Sequence, residues 1–326
     1  MIITLERGAE SDRVKRALSG KGLWIEGVER SSDGTTSFVI GKGSTRVRPE
    51  DLEKLEGVAR VSVAASPHPK VDAQGRRVVV GDAAIDPRSP VVIAGPCSVE
   101  SSEQIERIAS QLAASGVRFL RGGAFKPRTS PYAFQGRGPD ALAWLRRAAD
   151  KHGMKVVTEV LSELDVSIVA EHADVVQIGS RNMSNYALLK SVGRAGKPVM
   201  LKRSMSATVE EWLLAAEYLL SHGATGVVLC ERGVRGFDAS TRNLLDLGAV
   251  ALLSHVHDLP VVVDPSHGTG RRELVLPLAR AALGAGAAGV MIETHDAPDE
   301  AESDGAQALA PQQIKELGPW LQRAST

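Results

Sequence analysis

Cysteine is nearly absent from this chain: there are two, Cys97 and Cys230, in 326 residues. Two thiols cannot build a disulfide framework, so the expected setting is a reducing one, the cytoplasm. Aromatic residues are scarce at 4%, which leaves the core to Ala, Val, Leu and Ile. Net charge is also missing, because 39 basic residues offset 39 acidic ones. Nothing therefore points to nucleic acid or an anionic membrane as a partner. No apolar run approaches bilayer-spanning length, and the opening Met1-Ile-Ile-Thr-Leu-Glu-Arg7 lacks the apolar stretch of a secretory signal. What is present is an ordinary hydrophobic content of 43%, over a length that suits one large α/β domain and a small one.

Residues 1–64 read as strand, helix, strand, strand, helix, strand. Met1–Leu5 is a short apolar strand, and Val14, Ala17 and Leu18 form a helical stripe that stops near Gly20 and Gly22. Leu23–Val28 and Ser37–Ile40 read as strands around the turn-rich Ser31-Ser-Asp-Gly34. Pro49 opens a helix stopped by Gly57, and Val58–Val63 closes the set. This order suits a ferredoxin-like α+β module, expected to be regulatory. Residues 65–90 read as a Pro-containing linker and then a β-hairpin around Gln74-Gly75.

Over residues 91–326, strand and helix patterns alternate strictly. The strand candidates are Val91–Ala94, Phe119–Arg121, Lys155–Glu159, Val175–Ile178, Val199–Leu201, Val227–Cys230, Val261–Val263 and Val290–Ile292. Most are continuous apolar runs, as in a parallel sheet buried on both faces. Ser101 with Gln104 and Thr208 with Glu211 have the spacing of helix capping boxes. Eight such units predict a (β/α)₈ TIM barrel. An open doubly wound sheet is the weaker reading, since no glycine-rich dinucleotide fingerprint follows the first strand.

Barrel enzymes work at the C-terminal ends of their strands, and two chemistries collect there. Arg121, Lys126, Arg128, Arg181, Lys202, Arg203 and Arg232 form a cationic cup. Guanidinium forks suit phosphate and carboxylate oxygens, and several together imply more than one anionic group. Cys97, His267, Glu293 and Asp304 form the second set. Taken singly, the thiol reads as packing and the imidazole as a structural histidine. Together at neighbouring strand ends they suit a divalent transition metal (Mn²⁺, Fe²⁺, Co²⁺ or Zn²⁺) better than Ca²⁺ or Mg²⁺. Cys230, inside the sixth strand, reads as packing. His295 and Asp296 read either as supports for the ligands or as surface polar groups. A metal beside an arginine-rich cup suggests the joining or splitting of phosphorylated small molecules.

The ordered motifs Ile93-Ala-Gly-Pro-Cys-Ser98, Leu120-Arg-Gly-Gly-Ala-Phe-Lys-Pro-Arg-Thr-Ser-Pro131, Gln177-Ile-Gly-Ser-Arg-Asn-Met183, Leu201-Lys-Arg-Ser204 and Asp264-Pro-Ser-His267 resemble the 3-deoxy-D-arabino-heptulosonate 7-phosphate (DAHP) synthases. The resemblance is to the branch related to the 3-deoxy-octulosonate 8-phosphate synthases and covers residues 70–326. It implies condensation of phosphoenolpyruvate with erythrose 4-phosphate and water to give DAHP and phosphate, the first step of the shikimate pathway towards aromatic amino acids. It also implies that Cys97, His267, Glu293 and Asp304 hold the metal, Mn²⁺ first, with Fe²⁺, Co²⁺, Zn²⁺ or Cd²⁺ as alternatives. By the same resemblance, Arg121, Lys126, Arg181, Lys202 and Arg232 surround phosphoenolpyruvate. Lys126, Pro127, Arg128 and Thr129 meet erythrose 4-phosphate, and Glu159 lies beside the reacting centre. Lys126 is the candidate proton donor to the new alkoxide, with a metal-bound water as the alternative.

The octulosonate synthase, using arabinose 5-phosphate, is the enzymatic alternative. It resembles this chain but carries an Ala-Asn-Arg version where this chain has Lys126-Pro-Arg-Thr129. Cys97, where some relatives carry Asn, points to the metal-dependent class. Two departures stand out: Ser266-His-Gly-Thr-Gly270 continues unlike the family, and Thr294 and Asp296 flank His295 where Val and Pro are commoner. A non-catalytic regulatory barrel is the reading from another class. The resemblance further implies a homotetramer and feedback by Tyr or Phe at the N-terminal module. No chorismate mutase-like helical domain is visible within the chain.

Overall fold

The computed structural model describes residues 1–326 apart from 32, 33, 42, 46, 64, 127–129, 131, 325 and 326. Pro127, Arg128 and Thr129, expected to meet the aldehyde substrate, therefore lie outside the described residues. The chain divides into two compact units, Met1–Pro67 and His68–Thr326.

The first unit runs β1 (Ile2–Leu5), α1 (Ser11–Gly20), β2 (Ile25–Arg30), β3 (Thr36–Ile40), α2 (Pro49–Glu53) and β4 (Val58–Ser62). Its strands form one antiparallel sheet in the order β2-β3-β1-β4. Alternation along β1 and β3 turns Ile3, Leu5, Phe38 and Ile40 to one face, where Val14, Leu18 and Leu52 of the two helices cover them. Pro49 sits in the first turn of α2, where its missing N–H costs nothing.

The second unit opens differently from the sequence expectation. Where residues 65–90 read as linker and hairpin, Pro69 starts a helix, α3 (Pro69–Gln74). The Glu217 carboxylate accepts the first backbone N–H groups of α3, at Lys70 and Val71. The hairpin follows as β5 (Val78–Val80) and β6 (Ala83–Ile85), turning at Gly81-Asp82 rather than at Gln74-Gly75. Val78, Val80, Ala83 and Ile85 bury themselves among the residues that fill the barrel interior, so the hairpin plugs the N-terminal mouth.

The barrel follows as β7 (Val91–Gly95), α4 (Ser102–Ala113), β8 (Phe119–Arg121), α5 (Pro139–Lys151), β9 (Lys155–Val160), α6 (Val166–His172), β10 (Val175–Ile178), α7 (Tyr186–Arg194), β11 (Pro198–Lys202), α8 (Val209–Ser221), β12 (Gly226–Glu231), α9 (Leu247–Ala251), β13 (Val261–Val263), α10 (Pro265–Thr269), α11 (Arg272–Gly284) and β14 (Gly289–Glu293), with α12 (Gly318–Ala324) last. All eight expected strands are present and parallel. β14 closes on β7 in a register that runs from Gly289 opposite Val91 to Glu293 opposite Gly95.

Two apolar layers result. Ile93, Phe119, Val157, Val175, Met200, Val228, Cys230, Val262 and Met291 fill the barrel. The alternate strand residues pack outward against the helices, as do Ile105, Ile108 and Leu112 of α4 and Trp212 of α8. Ser101 caps α4 by accepting the Gln104 N–H at 3.1 Å. Thr208 and Glu211 cap α8 reciprocally. At the C-terminal mouth β7 and β8 approach so closely that a side chain on Gly95, at φ +152°, would strike the carbonyl oxygen of Arg121.

Candidate active site and metal centre

The C-terminal mouth holds a cavity of about 390 Å³. Of the residues named from the sequence, Arg121, Lys126, Glu159, Arg181, Lys202, Arg232, His267 and Asp304 line it together. Parity places them there. Lys202 ends β11 beside the inward-facing Cys230, and Arg232 lies two residues beyond that cysteine.

Three of the four candidate metal ligands cluster at one edge of this cavity. Donor atoms of Cys97, Glu293 and Asp304 lie within 4.8 Å of one another. The Cys97 thiol donates to Asp304 Oδ2 at 3.1 Å. His267 Nε2 stands 3.3 Å from Glu293 Oε1, a separation suited to two donors each about 2.1 Å from one ion. The clustered thiol and two carboxylates of Cys97, Glu293 and Asp304, with the His267 imidazole beside Glu293, make a donor set whose chemistry fits a borderline divalent transition metal.

The charges around this point are strongly set. Glu293 is fully buried, and burial opposes its ionisation. His267, Arg121 and Lys126 outweigh that penalty and hold the carboxyl down to about 2. Arg121 donates to Glu293 at 2.8 Å. Burial, and then the Glu293 carboxylate, push the Cys97 thiol up to about 12 despite Lys126 and Arg121. Lys126 Nζ nonetheless lies 3.0 Å from that sulfur.

Several residues of the site carried no such expectation. Asp264 is fully buried between Lys202 Nζ, 2.6 Å away, and His267 Nδ1, 2.7 Å away. Burial opposes its ionisation, but His267 and Lys202 hold it well below the usual carboxylate range. Its place in the Asp264-Pro-Ser-His267 motif was the available signal. Gln307 donates to Glu293 Oε2 at 2.5 Å from a stretch without periodicity. Gln177 donates to Glu159 at 3.1 Å from the strand position just before Ile178. Arg242 reaches the cavity from the long segment between β12 and α9, where its guanidinium lies 3.8 Å from Asp304. Arg232 lines the cavity with a buried Nη1 that has no hydrogen-bond partner among the described residues.

Arg203 does not belong to the cationic cup. It follows Lys202 and so points to the opposite side of the strand. There it pairs with Glu231 at 3.0 Å and Asp246 at 2.9 Å and lies over the Trp212 ring. Cys230 is packing, buried inside the barrel with its thiol pushed up to about 12 by burial. Both cysteines are free thiols. His295 lies outside the cavity. It faces the Gln104 amide at 3.0 Å, and its Nδ1 accepts the Ala297 N–H at 3.0 Å, bracing the loop that leads to Asp304.

Comparison with known proteins completes this picture. Residues 73–326 match the model of the DAHP synthetase I family. The phospho-2-dehydro-3-deoxyheptonate aldolase of Thermotoga maritima is 43% identical over 97% of this chain and 95% of its own length. A 2-dehydro-3-deoxyphosphooctonate aldolase of Acidithiobacillus ferrooxidans is 33% identical over 67% of this chain and 83% of its own length. The crystal structure of a DAHP synthase from Thermotoga maritima matches with a TM-score of 0.74 at 41% identity, covering 99% of this chain and 95% of that one. A truncated form of 3-deoxy-D-arabino-heptulosonate 7-phosphate synthase from Thermotoga maritima matches with a TM-score of 0.70 at 46% identity, covering 77% and 91%.

Proposed function

This chain belongs to the DAHP synthetase I family, and on that premise we propose that it is a transferase condensing phosphoenolpyruvate with erythrose 4-phosphate and water to give DAHP and phosphate. One observation carries the reading: a cavity that sets five cations, Arg121, Lys126, Arg181, Lys202 and Arg232, beside the donor set of Cys97, His267, Glu293 and Asp304. Two anionic groups on one substrate need such a cluster, and the unpartnered Nη1 of Arg232 is a donor awaiting an oxygen. The octulosonate alternative is not favoured: the aldolase of that type from Acidithiobacillus ferrooxidans shares 33% identity over 67% of the chain, against 43% over 97% for the heptonate aldolase of Thermotoga maritima. A non-catalytic barrel is disfavoured because the cavity keeps Arg121, Lys126, Arg181, Lys202 and Arg232 together with Glu159 and His267.

In this reading Arg121, Arg181, Lys202 and Arg232 grip the carboxylate and phosphate of phosphoenolpyruvate and fix its enol face. Cys97, His267, Glu293 and Asp304 would hold a divalent ion, Mn²⁺ by preference, with Fe²⁺, Co²⁺, Zn²⁺ or Cd²⁺ as substitutes. When bound, that ion supplies Lewis-acid polarisation of the aldehyde. Lys126, whose Nζ is held at 2.9 Å by the Cys97 carbonyl, delivers a proton to the alkoxide formed as the enol carbon joins the aldehyde carbon. Glu159, oriented by Gln177, takes the proton of the water that adds to the adjacent phosphate-bearing carbon, which the loss of the enol double bond has left cationic, giving a hemiketal phosphate. The carbon–oxygen bond to phosphate then breaks and phosphate leaves.

The decisive assay is phosphate release from phosphoenolpyruvate that requires erythrose 4-phosphate and disappears with a chelator. No turnover with added Mn²⁺ would overturn the reading.

The same proposal places the enzyme in the cytoplasm as a homotetramer at the head of the shikimate pathway. No helix among the described residues is long and apolar enough to cross a membrane, and sedimentation of the purified chain tests the oligomer. The first unit is assigned as a ferredoxin-like regulatory module that binds Tyr or Phe. Its cavity of about 370 Å³, lined by Met1, Leu23, Ile40, Val47, Pro49 and Val63, supports that assignment. Equal sensitivity to Tyr and Phe in the full chain and in a chain beginning at His68 would refute it.

A further inference from the structure

The carboxylate of Asp264 joins the two halves of the site. It lies just past β13 and is fully buried. Oδ2 accepts from Lys202 Nζ at 2.6 Å and from His267 Nδ1 at 2.7 Å. Oδ1 accepts the His267 backbone N–H at 3.0 Å. Lys202 faces the cavity together with Arg121 and Arg232, whereas His267 turns Nε2 towards Glu293. A single oxygen thus stands between an ammonium placed to hold an anion and an imidazole placed to hold a cation. We infer that Asp264 is a positioning residue that couples divalent-ion binding to phosphoenolpyruvate binding through these two hydrogen bonds. This inference rests on the function proposed above.

The physical basis is competition for Oδ2. Donating Nδ1–H to Asp264 fixes the tautomer of His267 and leaves the Nε2 lone pair for the ion. Lys202 shares the same acceptor. An anion that draws the ammonium into the cavity leaves Oδ2 to His267 alone, which strengthens the Nδ1–H bond and makes Nε2 a better donor to a cation. The reverse follows from linkage: an ion on Nε2 tightens the hold of His267 on Asp264 and loosens that of Asp264 on Lys202. The coupling is therefore positive and reciprocal. The neighbouring Arg203–Glu231 pair cannot supply it, because it faces Asp246 and Trp212 on the outer side of the strands.

The test is equilibrium binding to the full chain without erythrose 4-phosphate, so that no turnover intervenes. Mn²⁺ affinity is measured by chelator competition with and without phosphoenolpyruvate, and phosphoenolpyruvate affinity with and without Mn²⁺. Each ligand should tighten the other by the same factor, about tenfold, within the usual range of coupling. Asp264→Asn should bring that factor close to one and weaken Mn²⁺ itself by about 10- to 100-fold. The visible spectrum of the Co²⁺-loaded variant should shift as His267 loses its fixed orientation, a signature that a purely structural role would not move. An Asp264→Asn protein that keeps the full coupling factor overturns the inference. So does native protein that binds both ligands without coupling, a result that needs no variant to fold. Native protein that binds no phosphoenolpyruvate overturns both this inference and the proposed function.

Discussion

Lys126 Nζ stands 3.0 Å from Cys97 Sγ and 2.9 Å from the carbonyl oxygen of the same residue. The one ammonium on the loop after β8 is thereby tethered to the strand end that carries the thiol. A lysine so held has its Nζ positioned beside the Cys97, Glu293 and Asp304 cluster before any substrate arrives.

Lys126→Met should lower kcat by about 10²- to 10⁴-fold, the usual contribution of a positioned proton donor. Steady-state phosphate release checks this. Retention of more than a tenth of native kcat would assign the proton to a water.

Cys97 makes ion binding depend on pH in a defined direction. Its thiol, pushed up to about 12 by burial and by Glu293, keeps its proton throughout the neutral range in the ion-free protein. A cation taking the thiolate must expel that proton. Below about pH 12, affinity should therefore rise with pH, about tenfold per unit on account of Cys97. Calorimetry in buffers of different ionisation enthalpy should find about one proton released per Mn²⁺ through Cys97, and Cys97→Ser should abolish that proton. Unchanged proton release in Cys97→Ser would remove the thiol from the ligand set.

Arg203 and Arg232 are both arginines at strand ends, yet their substitution should fail in opposite ways. Arg203→Met strips the buried Glu231 and the half-buried Asp246 of their shared cation. Breaking such a pair typically costs about 3–5 kcal/mol, so thermal unfolding should move sharply downward while the KM for phosphoenolpyruvate of the folded protein changes little. Arg232→Met removes a guanidinium whose buried Nη1 has no partner among the described residues. That variant should keep its melting temperature and raise the KM by about 10²-fold, in line with about 1.5–3 kcal/mol for a hydrogen bond to a charged group.

That contrast also marks what was readable from sequence. The strand positions were legible because strands buried on both faces, such as Val261–Val263, are unbroken apolar runs. The cavity-lining residues were legible because barrel chemistry gathers at strand ends. The side a residue faces was not. Lys202 and Arg203 look equivalent in sequence, and only the two-residue period of a paired strand sends one into the cavity and the other towards Trp212. Arg242 and Gln307 were illegible because they sit in segments without periodicity, placed by tertiary contacts alone. α3 was hidden by its brevity: only Val71 of its residues is buried, which leaves no apolar stripe to detect.

Gly179 offers a way to disturb the reacting centre without disturbing the fold. Its backbone, at φ −73° and ψ 160°, is open to any residue. A Cβ added there would collide with the Glu159 carboxylate and with no backbone atom. A carboxylate at the end of a flexible side chain can swing aside, so Gly179→Ala should change stability by less than about 1 kcal/mol. The same swing breaks the 3.1 Å hydrogen bond from Gln177 and takes Glu159 off its axis. Displacing a reacting group by about 1 Å costs on the order of 10²-fold in rate. The expected result is a native melting curve and a native KM for phosphoenolpyruvate with kcat reduced by about that factor. Gly95→Ala makes the contrasting control, because the added methyl would meet the Arg121 backbone and destabilise the barrel where β7 meets β8. Full kcat in Gly179→Ala would show that Glu159 takes no part in the chemistry.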